Sequence, residues 1–143
     1  MNVASLRESF AEFLGADRYR RFVWQINRRD RLRAWQEEVW GKFVSANPVF
    51  AGLSEAEVRE CFTVCEVHGD EFQTYSTRVI HGNVDFTLEY EIASSSQFPH
   101  AKLDFWSTEG RSFDKNTIEL RFCPACCEAK SKWESEVAKG RAD

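Results

Sequence analysis

In the first half of the chain, apolar side chains recur at intervals of three and four residues, the period of a helix with one buried face. Leu6, Phe10, Phe13 and Leu14 make one such stripe, opened by a capping-box pattern at Ser5 and Glu8 and stopped by Gly15. Asp17 can cap a second helix whose inner face carries Phe22, Val23 and Ile26. A third helix is predicted from about Asp30 to Ala46, with Leu32, Trp35, Val39 and Phe43 in register. It must end before Pro48, which pushes Asn47 out of the helical region. Ser54 and Glu57 repeat the capping pattern for a fourth helix, in which Val58, Cys61, Phe62 and Cys65 share a face.

The period then shortens to two. The segment VDFTLEYEI, residues 84–92, places Val84, Phe86, Leu88, Tyr90 and Ile92 on one side and reads as a strand. Gly82-Asn83 just before it suits a tight hairpin turn, which makes residues 72–80 its antiparallel partner. Shorter strands fit 102–106 and 117–122, the latter turning Ile118, Leu120 and Phe122 inward. From Pro124 to about Lys139 the spacing of Ala129, Trp133 and Val137 returns to that of a helix. The expected fold is α+β, a single domain over residues 1–143. A helical half (1–63) packs on a small antiparallel sheet closed by a C-terminal helix (64–143).

Composition agrees with a globular chain: 143 residues, 43% hydrophobic, enough to bury roughly 68–70% of the unfolded surface. No apolar run approaches the roughly 18 residues of a membrane span. Arg7, Glu8 and Glu12 interrupt the stretch that a secretion signal would need. The expectation is a cytoplasmic protein with no membrane association. In a reducing compartment its five cysteines point to metal or redox chemistry before disulfides.

Two sequence pairs carry that chemistry. Cys65 and His68 are two residues apart just past a helix end, and Cys123 and Cys126 repeat the spacing just past a strand end. Three thiolates and one imidazole suit a single tetrahedral Zn2+, and the short spacing lets a tight turn aim both donors at one ion. With Cys123 as N-cap, Pro124 falls at the first helical position, where proline is favoured, and Cys126 at the third. The positive helix end then favours thiolate over thiol. One structural zinc per chain would tie the end of the fourth helix to the start of the last. The alternatives are small buried cysteines with a satisfied histidine, or a redox pair, which lacks the surrounding βαβ pattern. Cys61 reads as core, or as a ligand in place of His68 if the fourth helix runs on through Cys65. Cys127 points about 100° away from Cys126 around the helix. His81 and His100 belong to neither pair.

This layout resembles a treble-clef zinc site, with a longer segment between its two halves. The segments CEVHG (65–69), VIHG (79–82), FPHA (98–101) and FCPACCEAK (122–130) with Trp133 also resemble landmarks of small bacterial proteins of little-known function. Those carry Cys-x-Val-His-Gly early and Tyr-Cys-x-x-Cys-Arg late. His81 stands here where a tyrosine is usual, and Cys127 where an arginine is usual. The resemblance implies metal ligands at Cys65, His68, Cys123 and Cys126, and no activity.

Three functional classes follow. A catalytic zinc keeps an open position, which four protein ligands would close, and the chain carries no HExxH, phosphate loop or nucleophile elbow. Asp70 and Glu71 beside the first pair could serve as a general base, and read equally well as hydrated surface acids. Nucleic-acid binding would rest on residues 18–35, where Arg18, Arg20, Arg21, Arg28, Arg29, Arg31 and Arg33 interleave with aromatics. The third class is a protein-interaction module without catalysis, an adaptor, immunity protein or antitoxin by analogy of composition. Net charge is −4, split as +3 over residues 1–46 (nine basic, six acidic) and −7 over the rest (ten basic, seventeen acidic). The acidic half suits a protein partner with a basic surface.

Overall fold

Residues 1–142 are described in the computed structural model. In chain order they form α1 (Val3–Leu14), α2 (Ala16–Arg28), α3 (Ala34–Ala46), a 3-10 turn (Pro48–Phe50) and α4 (Glu55–Cys61). There follow β1 (Gln73–Ile80), α5 (Leu88–Gln97), β2 (Phe105–Ser107), β3 (Thr117–Phe122) and α6 (Pro124–Ala142). The fold is α+β, with six helices and one three-stranded sheet among the described residues. The chain divides into two compact units, Met1–Glu66 and the residues from Val67 onward. Among the described residues no helix is long and apolar enough to cross a membrane.

The first unit is helical, as the periodicity requires. Phe10 of α1 is its hub, fully buried with its ring 4.8–5.4 Å from those of Phe22, Phe43, Phe62 and Trp40. Leu6, Val23, Val39 and Val58 complete the predicted inner faces. The caps differ in detail. Asn2, not Ser5, caps α1, its Oδ1 accepting the Ser5 N–H at 3.1 Å. Gly15 both ends α1 and precedes α2, with φ at +85°, a conformation that glycine adopts without strain. α3 starts at Ala34, where the Gln36 side chain reaches back to the Arg33 N–H at 2.8 Å. Ser54 and Glu57 form the expected capping box. α4 stops at Cys61, so Cys65 lies beyond it.

The second unit departs more. Its sheet has the order β2-β1-β3 and is mixed: β1 pairs antiparallel with β3 and parallel with β2. The expected hairpin partner of β1 is a helix instead. Thr87 caps α5, accepting the Tyr90 N–H at 3.1 Å, and Glu89 and Glu91 occupy the first turn where the helix dipole favours acids. A strand that reaches its neighbour through a helical crossover returns parallel, which is why β2 and not residues 84–92 completes the sheet. The turn at 81–82 is held by the loop after β2, with Gly82 donating to Thr108 Oγ1 at 2.9 Å and accepting from Glu109 at 3.0 Å. β3 spans the predicted residues, and Ile118, Leu120 and Phe122 face Thr77, Tyr75 and Gln73 across the ladder. Buried apolar side chains here are few and mostly small: Ala93, Phe98, Ala101, Phe122, Cys123 and Cys126.

Candidate metal centre

The first pair of donors sits in a turn. After α4 the chain makes a tight turn over residues 66–68, with Cys65 just before it and His68 as its last residue. The end of α2 fixes the approach. Asn27 Nδ2 donates to the Val64 carbonyl at 2.7 Å and to Glu66 at 3.1 Å, while the Arg28 guanidinium pairs with Glu66 at 3.1 Å. Both neighbours of Cys65 are thereby clamped. Gly69, with φ at +78°, then turns the chain so that Asp70 reaches the start of α6.

The second pair is built by the strand-to-helix junction. The Cys123 N–H donates to the His100 carbonyl at 2.8 Å, and the Cys127 N–H makes the first helical bond to the Cys123 carbonyl at 3.2 Å. Pro124 follows as the first helical residue. Two first-turn amides that a helix leaves without partners are satisfied locally. The Cys126 N–H donates to Cys123 Sγ at 3.4 Å, and the Ala125 N–H to Asp70 Oδ2 at 3.2 Å. Asp70 Oδ2 also lies 3.6 Å from Cys123 Sγ. Asp70 thus serves as a cap beside the donors, a role that its position in CEVHGD suggested only as that of a possible base.

The donor atoms of Cys65, His68, Cys123 and Cys126 all lie within 4.8 Å of one another. His68 turns Nδ1 to the sulfurs, 3.3 Å from Cys126 Sγ and 3.8 Å from Cys123 Sγ. Bond lengths of about 2.3 Å to sulfur and 2.0–2.1 Å to nitrogen at a tetrahedral ion place S and N about 3.6 Å apart. The observed pair of distances brackets that edge. Cys65, Cys123 and Cys126 are buried and His68 partly so. These four residues lie close enough to hold a metal ion, and they are the four that the spacing selected.

Of the other candidates, Cys61, Cys127 and His81 lie outside any donor cluster, whereas His100 joins Cys65 and Glu66 in a second group whose donor atoms also lie within 4.8 Å of one another. Cys61 is buried in the first unit's core, where burial pushes its thiol pKa up against the opposing pull of Arg7. It is not in the donor cluster, since α4 does not continue to Cys65. Cys127 accepts the Lys102 N–H at 3.4 Å, outside the four-donor group. His81 is exposed after β1. The His100 ring stands edge-on to Phe72 at 4.8 Å, while its carbonyl positions Cys123.

The seven arginines divide into two groups. Arg18, Arg20, Arg21 and Arg28 are exposed on α2, and Arg29, Arg31 and Arg33 are exposed in the connection to α3. At 100° per residue, Arg20, Trp24, Arg28 and Arg21 fall within one arc of about 100°, with Arg18 about 60° beyond. Arg28 stacks on Trp24 at 4.4 Å as well as pairing with Glu66, and Arg21 lies over Trp35 at 5.5 Å.

No family model matches the chain, and no curated protein or solved structure matches it either.

Proposed function

We propose that the chain is a protein-interaction module built around one structural zinc ion, without catalytic activity, of the adaptor, immunity-protein or antitoxin kind. The observation that carries the zinc assignment is the donor set itself. Three sulfurs and an imidazole nitrogen within 4.8 Å suit a soft tetrahedral ion. Four protein donors leave no position for a water or substrate, which is the pattern of structural sites. The second unit supplies a physical need for the ion. A unit of this size with few large buried apolar groups is one that natural proteins secure with a metal or a crosslink. Its layout supports a treble-clef reading: a turn with two donors, a sheet, then a helix whose N-cap and first turn give the other two. In this layout α5 and β2 are inserted where a compact site has only a hairpin. The acidic balance beyond residue 46 favours a basic protein partner.

The second reading, nucleic-acid binding through α2, is favoured by the exposed arc of Arg20, Arg21, Arg28 and Trp24. Native mass spectrometry of the gently purified full chain decides among these. One zinc per chain is expected, with a co-purifying protein for the first reading or an oligonucleotide for the second. A metal-free chain would overturn the zinc assignment.

A further inference from the structure

We propose that His100 is a positioning residue of the metal centre: its ring N–H, oriented by Glu66, donates to Cys65 and holds that sulfur as a thiolate ligand. The inference rests on the zinc reading and adds the residues outside the four donors on which that site depends.

A short turn presents His100. Phe98-Pro99-His100-Ala101 is closed by the Ala101 N–H donating to the Phe98 carbonyl at 3.3 Å, with proline at the second position, where its fixed φ is favoured. Phe98 and Ala101 are both buried and anchor the ends. The residue between them meets both donor pairs. Its carbonyl accepts the Cys123 N–H at 2.8 Å, and a ring nitrogen lies with Cys65 Sγ and a Glu66 oxygen, all within 4.8 Å of one another. Phe72 stands edge-on to the ring at 4.8 Å and is itself covered by the Arg121 guanidinium at 4.3 Å, so packing sets the ring plane.

Chemistry decides what the ring nitrogen carries. A thiolate and a carboxylate are both acceptors, so a bare imidazole nitrogen beside them would set lone pairs against lone pairs. A hydrogen on that nitrogen turns both contacts into attractions. A carboxylate has about four acceptor sites, and Asn27 and Arg28 each engage one oxygen of Glu66, which leaves room for a further donor. A second cation suits the place less well, because the Arg28 guanidinium already stands 3.1 Å from Glu66. Charge gives the N–H its purpose. Three thiolates around a divalent ion leave one negative charge in excess, and all three sulfur residues are at most 1% exposed. The Cys126 N–H, 3.4 Å from Cys123 Sγ, offsets part of that charge. The His100 N–H does the same for Cys65, and hydrogen bonds to an ionised acceptor are the strong ones.

The test compares His100→Phe and His100→Gln in the full chain. Both keep the main-chain bond to Cys123. The first keeps the ring packing and loses the donor, and the second keeps a donor. In competition with a chelator, His100→Phe should bind zinc about 10–100-fold more weakly, and His100→Gln should recover most of that loss. In the cobalt-loaded chain the sulfur-to-metal charge-transfer band should move to lower energy in His100→Phe and return in His100→Gln, since a hydrogen bond stabilises the sulfur electrons. Parent affinity with an unshifted band in His100→Phe overturns the proposal. So does a loss that His100→Gln fails to restore, which would be packing alone. Two metal ions per chain falling to one in His100→Phe also overturn it, since the group would then be a ligand set. Proton–nitrogen NMR of the zinc-loaded parent needs no variant. The His100 ring N–H should exchange slowly with solvent, and its absence sinks the idea even if His100→Phe does not fold. A parent that takes up neither zinc nor cobalt defeats the zinc reading and this one together. A parent that binds cobalt through sulfur, indifferent to His100, defeats this one alone.

Discussion

Replacing Cys123 by serine removes a buried sulfur of the four-residue cluster that also accepts the Cys126 N–H at the start of α6. An ion present at about a thousand times its dissociation constant stabilises the folded form by about 4 kcal/mol. A substitution that raises that constant above the free metal concentration loses nearly all of this. For a unit the size of residues 67–143, 1 kcal/mol moves the midpoint by roughly 4–8 °C, so the expected drop is about 16–32 °C. Cys65→Ser should behave alike. Cys127→Ser should move the midpoint by less than about 4 °C, because the half-buried Cys127 is outside the donor set and a near-isosteric change there should stay within about 0.5 kcal/mol. A serine oxygen can also accept the Lys102 N–H that Cys127 Sγ accepts now. The assay is thermal unfolding by circular dichroism with zinc in excess over protein and again with chelator, with hydrogen exchange locating the loss. Chelator should lower the midpoint of the parent chain and of Cys127→Ser, and leave Cys65→Ser and Cys123→Ser nearly unchanged. Equal midpoints for all three variants in zinc would refute the ligand assignment.

Phe10→Ala, at the hub of four aromatic contacts in the first unit, should cost about 3–5 kcal/mol in urea unfolding. Arg28→Ala strips a charged hydrogen bond from the nearly buried Glu66, and should cost about 1–3 kcal/mol and weaken zinc binding measured by competition with a chelator, since Glu66 adjoins Cys65. The Ser54 backbone N–H, and then its hydroxyl, hold the Glu57 carboxyl below its usual range. The stability this provides is present above the ordinary carboxylate pKa and lost as pH falls through the lowered value. Glu57→Gln should therefore flatten the acid limb of stability measured by urea titration as the pH falls below the ordinary carboxylate range. Burial raises the Cys61 thiol pKa, so iodoacetamide at neutral pH should label Cys127 well before Cys61, as peptide mass spectrometry will show.

The donor set was legible because its chemistry is local. Two pairs at two-residue spacing, each beside an element boundary, define turns that short-range geometry alone can form. Cys123, Pro124 and Cys126 take the N-cap, first and third positions that the sequence assigns them. The helical half was legible for a related reason, since a 3.6-residue period, with Gly15 after α1, Pro48 after α3 and the capping box that opens α4, leaves little choice. The parts that were misread depend on distant partners. Residues 84–92 alternate like a strand, but a strand needs a neighbour with a free edge, and β1 pairs with β3 on one side and with β2 on the other. Released from the sheet, Thr87 caps a helix, and Leu88 and Ile92, expected inward, are exposed.

The sequence by itself determined which residues can bind a metal, that four helices fill the first half and one the end, and the inward face of β3. Each of these follows from interactions within a few residues. Only the tertiary structure decided that the donors converge, that Asn27 and Arg28 clamp the approach to Cys65, and that the sheet is mixed. It also decided which apolar side chains are left outside the core. Those outcomes depend on which edge and which face remain after every other segment has packed, and no period along the chain records that competition.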